Sequence, residues 1–167
     1  MERILVSACL LGRPVRYDGA AKRVDDEIVE RWRAEGRLVP FCPEVSGGLP
    51  VPRPPAEIVG GGGGAAVLDG TATVRTDGGD DVTEPFVRGA RLALDAARRA
   101  GARIAILKEG SPSCGTIRVY DGRFTGTFVP DQGVTTALLR RAGIRVFSEE
   151  QIEAAAAHLR ELESPRP

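Results

Sequence analysis

Four short apolar runs constrain this chain more than any other feature. Residues 3–8 (RILVSA), 37–41 (RLVPF), 103–107 (RIAIL) and 144–147 (IRVF) are too brief for helices, and each is bounded by turn-forming or polar residues. Between them the period changes. Residues 24–36 put Ile28, Val29 and Trp32 on one helical stripe and stop at Gly36. Residues 83–100 put Phe86, Ala90, Leu94 and Ala97 on one face. Thr83 is the predicted cap there, Pro85 suits the first turn, and Gly101 ends the helix. Residues 133–142 and 149–163 predict two further helices. Apolar strands alternating with amphipathic helices call for a mainly parallel sheet covered on its faces. The expectation is an α/β fold: a single three-layer Rossmann-like domain over 1–167, with hairpin or loop inserts. Pro40 is expected near the end of the second strand.

The inserts read less regularly. Five glycines at 60–64 predict a flexible loop or a bend. Residues 66–77 (AVLDGTATVRTD) hold an Asp-Gly step between short alternating runs, which predicts a hairpin. Residues 119–128, around Tyr120-Asp121-Gly122, predict a second hairpin or an ordered loop. The tail, 163–167, is expected to fray.

Charge and hydropathy exclude several functions. The chain has 167 residues, with 23 basic and 23 acidic side chains, so its net charge is zero. A balanced charge gives no general attraction to duplex nucleic acid or to an anionic membrane. No apolar run approaches the roughly 18 residues of a membrane span. The start, Met1-Glu2-Arg3-Ile4-Leu5-Val6, is too short and too soon charged for a secretory signal. A cytoplasmic protein is expected.

Cysteine is the informative residue. There are three, Cys9, Cys42 and Cys114, and an odd, widely spaced set argues against a disulfide framework. Cys9 follows the first strand directly, Cys42 follows the second, and Cys114 comes a few residues after the third. Ligands of open parallel sheets bind beyond the carboxyl ends of the strands, so all three thiols should reach one edge. The single histidine, His158, lies in the last helix among alanines, away from these segments. Three thiolates with an open fourth position suit a [4Fe–4S] cluster or a catalytic zinc site, and arithmetic alone does not separate them.

Polar side chains crowd the same segments. Glu44 stands two residues past Cys42 and is a candidate general acid or base. Ser111 and Ser113 precede Cys114; Arg16, Tyr17 and Asp18 follow Cys9. Only two basic residues are lysines, Lys22 and Lys108. Lys108 sits at the end of the third strand, where its compact ammonium suits an ion pair with Glu109 or Asp18, or a substrate contact. Arg53, in a proline-rich stretch, is expected to turn inward. The glycine run lacks the lysine and Ser/Thr of a phosphate-binding loop.

Taken together the chain resembles the DUF523 family. The resemblance rests on Val6-Ser7-Ala8-Cys9-Leu10-Leu11-Gly12, Val15-Arg16-Tyr17-Asp18-Gly19, and Cys42-Pro43-Glu44-Val45 with Gly47-Gly48-Leu49. It continues through Pro52-Arg53-Pro54-Pro55-Ala56-Glu57, Asp81-Val82-Thr83, Leu107-Lys108, Ser111-Pro112-Ser113-Cys114-Gly115, Tyr120-Asp121-Gly122, Gly133-Val134-Thr135 and Ser148-Glu149. That family includes thiouracil desulfurases. The resemblance implies a [4Fe–4S] cluster on Cys9, Cys42 and Cys114, with one open iron to take the substrate's sulfur. It implies Glu44 and Ser111 in the chemistry and a small thiolated nucleobase or nucleoside such as 2-thiouracil as substrate; Arg16, Tyr17, Asp18, Lys108 and Ser113, from the polar segments beside the cysteines, are the candidate substrate contacts. The implied reaction replaces sulfur by oxygen without net redox change. The alternatives are a three-cysteine zinc hydrolase or lyase, and a non-catalytic module that senses or stores sulfur. Gly110 departs from the pattern, since many relatives carry a larger residue there.

Overall fold

The computed structural model describes residues 1–165. Four strands, β1 (Ile4–Ser7), β2 (Leu38–Phe41), β5 (Ile104–Leu107) and β8 (Arg145–Ser148), form one parallel sheet in the order β2-β1-β5-β8. β2 is an edge strand, and this is why Pro40 is tolerated inside it: the missing N–H faces no neighbour on that side. The helices α1 (Glu27–Ala34), α4 (Thr83–Ala100), α5 (Val134–Arg141) and α6 (Ile152–Glu163) cover the sheet.

The central strands β1 and β5 are buried on both faces, so alternate residues serve two cores. Ile4, Val6, Ile104 and Ile106 pack against Val29 and Trp32 of α1 and Ala155 and Leu159 of α6. Leu5, Ala105, Leu107 and Val146 pack against Ala93, Leu94 and Ala97 of α4 and Leu139 of α5. These are the three expected layers. The α1 helix begins at Glu27 because the Asp26 carboxylate accepts the N–H groups of Ile28 and Val29. The last helical region opens with a short 3-10 turn over Glu149–Gln151, capped by Ser148.

Three local expectations need correction. Thr83 does not cap α4; its hydroxyl accepts the Val74 N–H at 2.9 Å, and the Asp81 carboxylate accepts the Thr83 N–H. Residues 66–77 are not a hairpin. They contain the end of α3 (Gly63–Leu68), a turn, and β4 (Thr73–Thr76), which pairs antiparallel with β3 (Ala56–Val59). The glycine run is the expected bend over 60–62, but Gly63 and Gly64 start α3 and are buried. A side chain at Gly64 would run into the Gly133 backbone, so this helix exists by close packing despite its poor helix formers. The second hairpin is present as β6 (Arg118–Tyr120) and β7 (Phe128–Pro130). At the end of the chain, α6 runs through Glu163, whose carboxylate pairs with Arg37. Of the tail expected to fray, Arg166 and Pro167 lie outside the described residues.

Candidate active site

The parallel strands deliver the three cysteines to one end of the sheet. Cys9 sits in a 3-10 turn (Ala8–Leu11) that begins as soon as β1 ends. Cys42 follows β2 and is the residue from which α2 (Pro43–Ser46) starts. Cys114 lies on the loop after β5. That loop is fastened to the first turn of α5, where Thr135 and Thr136 donate N–H bonds to the Ser113 carbonyl and Val134 donates to that of Pro112. All three thiols line one cavity of about 480 Å³.

Burial raises the pKa of each thiol. Cys9 is pushed up to about 11, first by loss of water and then by the neighbouring Cys42. Cys114 is pushed up to about 12 by burial, although the Ser7 hydroxyl, which donates to its sulfur, and the Ser113 hydroxyl, 3.5 Å from it, oppose the rise. Cys42 is also raised by burial, against the N–H groups of Val45 and Glu44. Thiols so desolvated keep their protons at neutral pH unless a cation replaces them. The donor set therefore fits a soft, positively charged group. Zn–S bonds of about 2.3 Å would bring three sulfurs within roughly 4 Å of each other. Among the described residues no three His, Cys, Asp or Glu groups are gathered for a single metal ion. Three thiolates with a fourth position open suit a [4Fe–4S] cluster or a catalytic zinc site.

The family model of 2-thiouracil desulfurase matches residues 4–151. The chain belongs to the 2-thiouracil desulfurase family. The chain is 46% identical over 149 residues to the uncharacterized protein YbbK of Bacillus subtilis (strain 168), covering 89% of this chain and 97% of that one. It is also similar to a solved structure of a [4Fe–4S]-dependent thiouracil desulfidase, TudS. That match has a TM-score of 0.86 and 53% identity, and covers 95% of this chain and 98% of the other.

The polar site residues of this desulfurase-family chain form one connected set. Glu44 is held on both oxygens: Oε2 accepts from the Ser113 hydroxyl at 2.8 Å, and Oε1 accepts from Arg53 at 3.3 Å. Arg53 is turned inward as expected, 9% exposed, and also donates to the carbonyls of Pro50 and Val15. Ser113 is fully buried and joins Glu44, Ser111 and the Cys114 sulfur. Ser111 accepts the Cys114 N–H at 2.7 Å and faces the cavity. Thus Ser113, rather than Ser111, is the serine in contact with Glu44.

Arg16, Tyr17 and Lys108 also line the cavity. Asp18 does not; its carboxylate accepts the Ala20 N–H in a local turn and pairs with Arg16 at 3.8 Å. Nor does Lys108 pair with Asp18 or with the Glu109 carboxylate. Its ammonium donates to the Glu109 backbone carbonyl at 2.8 Å and lies 3.8 Å from Glu149. His158 pairs with Glu161 on α6, away from the cavity.

Several residues were invisible to sequence reasoning. Ser7 donates to Cys114 Sγ and accepts the Lys108 N–H, linking β1 to the β5 loop. Glu109 is 4% exposed, and its carboxylate accepts the N–H groups of Gly110, Thr116, Ile117 and Arg118 and the Thr116 hydroxyl. It gathers the whole cysteine loop around itself. Burial alone would raise its pKa, but Thr116 and the backbone donors outweigh that and hold it below the ordinary range. An acidic residue within a Gly/Ser/Pro loop was the one available signal.

Proposed function

We propose that this chain is a cytoplasmic, iron–sulfur-dependent desulfurase that converts a small thiolated pyrimidine, such as 2-thiouracil, to its oxygen analogue and sulfide. The observation that carries the reading is the convergence of Cys9, Cys42, Cys114 and the Glu44–Ser113 pair on one cavity, in a chain of this family. An odd set of free cysteines suits a reducing compartment. Among the described residues no helix is long and apolar enough to cross a membrane.

Cys9, Cys42 and Cys114 would hold a [4Fe–4S] cluster through its three ligated irons. When bound, its open iron supplies a soft Lewis acid for the thiocarbonyl sulfur, which makes the attached carbon more electrophilic. The remaining chemistry belongs to side chains. Glu44 reaches the cavity with its carboxylate pinned between Arg53 and Ser113, so it is oriented before substrate arrives. In that position it takes a proton from the attacking water and returns one to the leaving sulfur or the ring nitrogen. Ser113 serves as its positioning residue. Ser111, beside it, offers its hydroxyl to water or substrate. Arg16, Tyr17 and Lys108 supply the polar wall. Overall, a C=S group and water give a C=O group and hydrogen sulfide, with no change in redox state.

The test begins with anaerobic reconstitution, iron and sulfide quantification, and a 2-thiouracil assay. Glu44→Gln should keep full iron content and lose about 10²- to 10⁴-fold in turnover per cluster. Near-normal turnover with a lowered melting temperature would make Glu44 a structural ion-pair partner and return the proton role to Ser111 or Lys108. Thiopyrimidine bound but never consumed by the loaded wild-type protein would mark a sensor instead of an enzyme.

A further inference from the structure

The β6–β7 hairpin contains the only described non-glycine residue with positive φ, Phe124 at 58°. A bulky residue in the left-handed region is a genuine outlier, and such strain persists where the surroundings over-determine it. Here they do. Glu57 on β3, 7% exposed, accepts the N–H groups of Gly122 at 2.9 Å and Phe124 at 3.2 Å on one oxygen. Gly122 lies so close to β3 that a Cβ there would meet the Ile58 carbonyl oxygen. From the other side, Asp121 donates its N–H to Thr127 and accepts that of Arg123. A buried carboxylate and a sheet backbone thus force the loop into one shape.

That shape holds Phe124 at the cavity wall. Tyr120 and Phe128 line the same wall but already satisfy each other, with ring centroids 4.3 Å apart and planes 20° apart; the Arg118 guanidinium lies over Phe128 at 5.5 Å. Phe124 has no aromatic or cationic partner among the described residues. It also belongs to none of the three apolar cores. A strained, half-buried phenyl ring that packs into no core is poorly explained by stability.

Resting on the desulfurase reading above, we propose that Phe124 is the stacking residue that receives the flat face of the heterocycle, with Glu57 positioning it. Stacking on an aromatic ring tolerates any base because each has a π-face, so Phe124 supplies affinity for planar heterocycles while the polar residues set their orientation. The substrate class this favours is an unsaturated, planar thio-heterocycle. A saturated thiourea of equal size lacks the face and should be a poor substrate.

The test compares Phe124→Leu, which keeps an apolar side chain without the π-face, with Phe124→Tyr, which keeps it. Two quantities are read anaerobically on the cluster-loaded protein: KM and kcat for 2-thiouracil, and the calorimetric Kd for uracil, which has no sulfur to reach iron. Phe124→Leu should raise KM and Kd together by about 5- to 150-fold, the range expected for one lost stacking contact. Its kcat, iron content and melting temperature should hold, and Phe124→Tyr should restore both constants. Unchanged constants in Phe124→Leu, or equal losses in Leu and Tyr, overturn the proposal while leaving desulfuration standing. A wild-type protein that binds uracil through Phe124 but does not consume 2-thiouracil sinks desulfuration and keeps the stacking role. A wild-type protein that does neither overturns both.

Discussion

Replacing Glu109 by Gln tests the claim that one buried carboxylate shapes the Cys114 loop. The carboxylate accepts four backbone N–H bonds and one hydroxyl, most within 2.8–3.2 Å. Glutamine retains one acceptor oxygen and turns an NH₂ group toward N–H donors. At least one charge-assisted bond is lost, at about 1.5–3 kcal/mol, and a buried N–H left without an acceptor costs about 1–3 kcal/mol more. We expect about 3 kcal/mol of destabilisation in total. For a chain of this size that lowers the melting temperature by roughly 6–12 °C. The sign of the pH dependence follows from the depressed pKa. Glu109 contributes its stability above the ordinary glutamate value of 4.5, and the contribution is lost as pH falls through its lower folded-state value. Thermal melts of both proteins should therefore differ fully near pH 7 and converge in acid. Iron retention should fall in parallel, because Cys114 rides on the same loop. A shift below about 2 °C at pH 7 would refute the reasoning, as would a difference that grows on acidification.

Two further outcomes follow. Serine at Cys9, Cys42 or Cys114 should each sharply reduce iron content after anaerobic reconstitution, since thiolate is the soft ligand such clusters need; a variant with full iron and full turnover removes that cysteine from the site. Gly89→Ala should cost about 1–3 kcal/mol by overpacking and lower iron content, because a Cβ there would run into the Pro43 carbonyl oxygen and push α2, with Cys42 and Glu44, off α4; unchanged denaturation midpoint and iron content would show that this contact yields freely.

The frame of the fold is legible along the chain. The two central strands, β1 and β5, are the most legible because each is buried on both faces and so reads as a nearly continuous apolar run, whereas β2 is half-buried and β8 opens on an exposed Arg145. The long helix is legible because its apolar residues recur at helical spacing and Gly101, in the left-handed conformation, ends it. Parallel strands point the same way, so cysteines placed after β1, β2 and β5 must share an edge, and the candidate ligands were readable before any coordinates. Which polar groups meet is set by packing between distant segments. Gly63 and Gly64 enter a helix because the Gly133 backbone is pressed against it, a contact about 70 residues away that overrides local propensity. Ser113 reaches Glu44 and Asp18 turns away because hydrogen-bond direction depends on backbone torsions, which spacing in sequence does not specify. Glu109, Glu57 and the strained Phe124 gain their roles from N–H groups and walls that separate segments bring together. Hydrophobic burial is non-directional and leaves a periodic trace along the chain, whereas a polar site depends on directed contacts and leaves almost none.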